Sequence, residues 1–91
     1  MSRPGSRPPA AELPAAVHAA VLEIAPEKRA EVDAGTRLVD DLGFHSLALL
    51  ELAYLLEDEF ELPPLDVETA RGIVTVGDVV EHVRGELARR P

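Results

Sequence analysis

The chain has no cysteine and no tryptophan, and aromatic residues make up 3% of its 91 positions. Without thiols, neither a disulfide framework nor a thiolate metal site can form, and any thiol chemistry has to arrive on something attached. With so few rings, the core has to be built from Leu, Val, Ile and Ala. Long apolar runs are missing as well. The longest, 47–56, is interrupted by Glu51 and falls well short of the ~18 residues that span a bilayer. The first residues lack the apolar stretch of a secretory signal. These absences predict a cytoplasmic protein that does not enter a membrane.

Basic residues are scarce where acidic ones are dense. Of the net charge of −8, the excess lies in the middle, where residues 31–70 hold eleven Asp/Glu against Arg37 alone. Such a field repels nucleic-acid phosphate and anionic lipid and attracts basic protein surfaces. The length bounds a single domain. A chain this short buries only about 60% of the surface its unfolded form exposes, which leaves little room for a deep catalytic cleft.

Residues 1–11 begin MSRPGSRPP, a composition that predicts a disordered tail ahead of a domain over 12–91. Leu13, Val17, Ala20, Val21 and Ile24 form one helical stripe, bounded by Pro14 in a first turn and by Pro26, so a first helix is expected over about 13–25. Residues 26–45 show weak periodicity and read as a long loop pinned by Leu38, Val39 and Leu42. A second helix is expected over 46–60, with Ser46 as its N-cap and Pro63-Pro64 preventing continuation. A short third helix spans about 66–71, with Asp66 as cap and Gly72 as stop. Thr75 and Asp78 have the spacing of a capping box for a last helix over about 76–89, whose face carries Val76, Val79, Val80, Val83 and Leu87. The fold class is therefore all-α, a small four-helix bundle of three main helices plus the short third one, with a long loop between helices one and two.

The second helix has two apolar faces. At 100° per residue, Leu49, Leu52, Ala53, Leu56 and Phe60 share a side without charge and are expected in the core. Leu47, Leu50, Glu51, Tyr54, Glu57 and Asp58 share the other side. An apolar seam rimmed by carboxylates either packs under the long loop or the third helix, or marks a docking surface for a basic partner. Tyr54 suits an interface, with an apolar ring and a polar tip.

The segment Asp40-Asp41-Leu42-Gly43-Phe44-His45-Ser46-Leu47 resembles the signature of acyl carrier proteins, in which a serine follows a D-L-G turn and opens the second helix. The resemblance continues through Glu51-Leu52, the acidic Glu57-Asp58-Glu59-Phe60 and Thr75-Val76-Gly77-Asp78, and covers about residues 12–88. It implies that a phosphopantetheinyl transferase moves 4'-phosphopantetheine from coenzyme A onto the Ser46 hydroxyl, and that the arm's thiol then carries an acyl thioester. A helix N-terminus suits the phosphate. His45 stands where most acyl carriers resemble D-S-L and place an Asp that helps receive the transferase and its magnesium ion. H-S-L is similar to the peptidyl carriers of nonribosomal peptide assembly, although Phe44 replaces the second Gly of their G-G-H-S. His45 implies a broad-specificity transferase.

The resemblance implies a monomeric carrier, not an enzyme, serving fatty-acid, polyketide or lipopeptide biosynthesis. Asp41, His45, Leu47, Leu50, Glu51, Tyr54, Glu57 and Asp58 form its expected docking face for acyl-loading, condensing or acyl-transfer enzymes with basic surfaces. The Ala-rich first helix is expected to leave space for part of an acyl chain. No catalytic set is complete, since His45-Ser46 has no orienting third group. The spacing of Asp40, Asp41 and His45 matches no metal motif. His18 and His82 read as boundary residues. Two alternatives stay open: an aminoacyl or peptidyl carrier, and a helical interaction module in which Ser46 is only a cap.

Overall fold

A computed structural model of the chain describes residues 12–89, so the expected tail over 1–11 lies outside the described residues. Five helices follow in order: α1 (Leu13–Ile24), α2 (Leu38–Leu42), α3 (Ser46–Phe60), α4 (Val67–Arg71) and α5 (Val76–Ala88). The described residues contain no strand beyond an isolated antiparallel bridge between Arg37 and Thr75.

Helix α1 buries Leu13, Val17, Ala20 and Val21, the stripe its periodicity predicts. The Lys28 ammonium donates to the carbonyls of Leu22 (3.0 Å) and Glu23 (2.9 Å), satisfying acceptors that the helix end leaves without an internal partner. α1 packs against both α3 and α5, which touch each other more lightly. Phe60, Leu13, Leu38, Leu42, Val17, Val21, Val76 and Val83 are the largest fully buried side chains.

The expected loop over 26–45 is not structureless, because it contains α2. Leu38 and Leu42, one turn apart, are both buried. Val39, expected to help pin the loop, is 56% exposed instead, because a single turn of helix carries only one stripe inward. Five residues are too short for periodicity to announce a helix.

The loop is stitched to the start of α5. Asp33 and Thr36 close a tight turn: the Asp33 N–H donates to the Thr36 hydroxyl, and the Gly35 N–H donates to the Asp33 carboxylate. From this turn Thr36 and Ala34 present their carbonyls to the N–H groups of Val76 and Gly77, each at 2.9 Å, while the Leu38 N–H donates to Val74 O at 3.0 Å. Val76 and Gly77 open α5, so their N–H groups have no acceptor inside the helix. The Thr75–Asp78 capping box is present in both directions. One set of first-turn donors thus holds both the helix and the loop.

Helix α3 ends in a left-handed turn at Glu61 (φ 56°), where the N–H groups of Glu61 and Leu62 return to the Glu57 carbonyl. This stops the helix two residues before Pro63, the residue expected to prevent its continuation. Asp66 caps α4 by accepting the Thr69 N–H at 2.7 Å. No residue of α4 is buried.

Two stability predictions follow from the loop–α5 clamp. A Cβ at Gly77 would lie 2.9 Å from the Ala34 carbonyl oxygen, whereas one at Gly85 meets nothing within 4 Å. Urea denaturation is expected to show Gly77→Ala destabilised by about 1–3 kcal/mol and Gly85→Ala stabilised by about 0.5–1 kcal/mol. The backbone N–H groups of Val74 and Thr75 hold the Asp78 carboxyl below its ordinary range. A carboxyl whose pKa falls on folding contributes stability above its unfolded pKa and loses it as pH drops through the folded value. Asp78→Asn should therefore lower Tm at neutral pH and flatten the loss of Tm below about pH 4.

Candidate functional site

The turn into α3 is built residue by residue. Gly43 closes α2 in the left-handed region (φ 71°), its N–H returning to Val39 O at 3.1 Å. A side chain there would be strained and would meet Glu27 at 2.9 Å. Leu42 and Phe44, on either side, are buried, and the Phe44 N–H donates to Leu38 O at 3.0 Å. With the chain pinned on both flanks of the glycine, His45 is left extended (φ −120°, ψ 179°) and α3 starts immediately after it.

This places the cap one residue earlier than expected. His45, not Ser46, is the N-cap: its Nδ1 accepts the Ala48 N–H at 3.4 Å. Capping needs a side chain on the extended residue before the first turn, and that residue is His45. Ser46 becomes the first helical residue. It is exposed, and its hydroxyl has no hydrogen-bond partner among the described residues. The first turn of α3 carries no acidic side chain.

Ser46 stands at the edge of an open groove of about 760 Å³ between α3, α4 and α5. It is lined by Leu49, Leu50, Leu52, Ala53, Tyr54 and Leu56 of α3, by Val67 and Ala70 of α4 with the following Ile73, and by Val79 and His82 of α5. The sequence pattern gave no warning of the α4 wall beyond the i, i+3 spacing of Val67 and Ala70. Two expectations are corrected here. Leu49 is 37% exposed, and Ala48 takes its place in the buried row with Leu52, Leu56 and Phe60. The side of α3 bearing Leu49 opens into the groove instead of meeting another helix. The Ala-rich α1 contributes no residue to the groove. Of its alanines Ala20 is buried in the core, whereas Ala15 and Ala19 are exposed.

On the outer face of α3, Leu47 (60%), Leu50 (47%) and Tyr54 (59%) are exposed, so neither the loop nor α4 covers this seam. Glu51 and Asp58 are exposed beside it. Glu57 is half-buried, with its carboxylate accepting the Leu65 N–H at 3.4 Å. Asp41 is half-buried and accepts the Arg37 N–H at 2.8 Å. These two carboxylates hold their own backbone, while Glu51 and Asp58 face outward. His18 and His82 are half-buried, and His82 lines both the groove and a smaller polar cleft behind α4.

Residues 15–83 match the family model described as a phosphopantetheine attachment site, which makes the domain a phosphopantetheine-bearing carrier. The acyl carrier protein of Desulforapulum autotrophicum is 40% identical over 73 residues, covering 75% of this chain and 94% of that protein. The acyl carrier protein of Clostridium perfringens is 45% identical over 53 residues, 58% of this chain and 68% of its own length. The crystal structure of an acyl carrier protein from Thermotoga maritima superposes with a TM-score of 0.69 at 26% identity, covering 87% of this chain and 91% of that one. The chain belongs to the acyl carrier protein family, whose members carry acyl groups on a covalently attached 4'-phosphopantetheine and are carriers rather than catalysts.

The residues present fit such a group. An unpartnered hydroxyl on the first residue of a helix, with no carboxylate in that turn, accepts a phosphodiester without like-charge repulsion from the turn and with the positive end of the helix dipole facing it. Among the described residues, no helix is long and apolar enough to cross a membrane.

Proposed function

We propose that Ser46 is the attachment residue, that residues 12–91 form the carrier domain, and that its cargo is an aliphatic acyl chain of fatty-acid, polyketide or lipopeptide biosynthesis. The observation that carries this reading is the placement of a free, exposed Ser46 hydroxyl at the edge of the largely apolar groove. The arm supplies the thiol that a chain without cysteine lacks. Leu42, Gly43, Phe44 and His45 set where the hydroxyl stands, and the first turn of α3 supplies donors and dipole for the phosphate. Leu49, Leu50, Tyr54 and Val67 offer exposed apolar surface that removes alkyl groups from water, at about 25 cal/mol per Å² buried. An amino acid, charged at its amine, gains little from such walls, so the groove favours acyl over aminoacyl or peptidyl cargo. Loading assays with acyl and aminoacyl donors separate the two.

The exposed seam of Leu47, Leu50 and Tyr54, with Glu51 and Asp58 outward beside it, supports docking by enzymes with basic surfaces. These are the phosphopantetheinyl transferase and the acyl-loading, condensing or acyl-transfer enzymes. His45 in place of an acid favours a broad-specificity transferase.

Intact-protein mass spectrometry after incubation with coenzyme A and such a transferase should show one phosphopantetheine added to the wild type and none to Ser46→Ala. No gain on a folded wild type would leave an unmodified interaction module as the better reading. Glu51→Lys and Asp58→Lys should each raise the transferase KM for this carrier by about three- to tenfold with little change in kcat, and weaken its salt dependence, because rim charges act mainly on encounter.

A further inference from the structure

Resting on Ser46 as the attachment residue and on the groove as the place of the cargo, we propose that this carrier takes acyl chains whose far end bears an uncharged oxygen group, a hydroxyl or a keto carbonyl, and that His82 is the residue that binds it.

The groove has two unlike ends. At about 1.5 Å of rise per residue, Glu57 lies about 16 Å along α3 from Ser46, and both residues line the groove. At the Ser46 end, Leu38 is bonded through its backbone to Phe44 and Val74, so the chain between α4 and α5 stands there. At the other end the Glu57 carboxylate accepts the Leu65 N–H, so the chain that enters α4 stands there. His82 lies further along α5 from its start at Val76, on the side of Asp66. The Thr69 N–H and hydroxyl, and to a smaller extent the nearby His82, hold the Asp66 carboxyl below its ordinary range.

At this far end the groove adjoins the polar cleft of about 240 Å³ behind α4. Pro63, Pro64, Leu65, Asp66 and His82 line both spaces, and His82 is the member of that partition supplied by α5. A chain that follows the apolar side of α3 away from Ser46 therefore ends against a polar boundary.

The groups at that boundary select what the chain end can be. Asp66 accepts the Thr69 N–H at 2.7 Å, and Glu57 accepts the Leu65 N–H. Glu81 pairs with Arg84, and Glu86 with Arg89 at 3.1 Å. Each of these acids is engaged, so an ammonium end finds no open carboxylate, and a carboxylate end meets like charge. His82 is half-buried and has no hydrogen-bond partner among the described residues. An imidazole keeps at least one N–H donor in either protonation state, so it can donate to a hydroxyl or carbonyl oxygen at any working pH. A plain hydrocarbon end laid against it shields it from water and returns no hydrogen bond, which is unfavourable.

The test loads Ser46 from the coenzyme A thioesters of octanoate and decanoate, each plain and with a terminal hydroxyl, with attachment verified by mass. Hydroxylamine cleavage of the thioester reports sequestration, and the amides of Ala53, Ala70 and His82 report where the chain lies. In the wild type the hydroxylated chain that reaches the boundary should be cleaved about three- to tenfold more slowly than its plain counterpart, the size of one net hydrogen bond, and should shift the His82 amide. His82→Leu should abolish or reverse that difference, and His82→Gln, which keeps a donor, should restore part of it. Equal cleavage of plain and hydroxylated chains that both shift Ala53 and Ala70, or a difference that persists in His82→Leu, would overturn the proposal and leave the groove as the place of the cargo. Attached chains that are cleaved as fast as a free thioester and shift no groove amide would overturn the groove reading and the proposal with it.

Discussion

The arrangement of this molecule depends on how the first turn of α5 is satisfied. A helix begins with N–H groups that have no acceptor inside it. Here Thr75 and Asp78 take part of that demand, and the carbonyls of Ala34 and Thr36 take the N–H groups of Gly77 and Val76. The loop that brings the chain from α1 towards the site is thereby fixed to the last helix. From that fixed point Leu38 and Leu42 sink into the core, Gly43 turns the chain and Phe44 anchors it again. Just ahead of the exposed Ser46, Leu42 and Phe44 are held by burial and Gly43 by its backbone hydrogen bond. Gly77 is a glycine because a backbone oxygen occupies the space a side chain would need.

Helix α3 then serves two surfaces with fifteen residues. One row, Ala48, Leu52, Leu56 and Phe60, closes the core. Leu49, Leu50, Ala53 and Tyr54 line the groove, and Leu47, exposed beside them, extends this apolar side of the helix. Ser46 belongs to the groove edge and sits next to Leu47 of the seam. A group attached there, as proposed above, stands beside the exposed apolar side chains of Leu47, Leu49, Leu50 and Tyr54 on the same helix.

The long helices were legible in the sequence because their stripes are strong. Leu13 to Ile24 and Val76 to Val83 repeat often enough for the period to decide, and Thr75 with Asp78 announces the start of α5. Helix α2 was not legible, because five residues hold only one apolar pair and because its stability comes from the distant bond to Val74 and from burial of Leu38 and Leu42. Motif and composition pointed to Ser46 and its surroundings. The identity of the cap did not emerge, since Ser is the better capping residue by preference and only the extended backbone at His45 decides otherwise. The groove escaped for a similar reason. It is a space left between helices, and the side of α3 that looks like core on a helical wheel is in part a wall with nothing packed against it.

The weak anchoring of α4 has a consequence for the groove. A segment with no buried side chain contributes little of the apolar burial that holds the core together. The side of the groove that α4 lines is thus the one that shares least with the core packed from α1, α3 and α5.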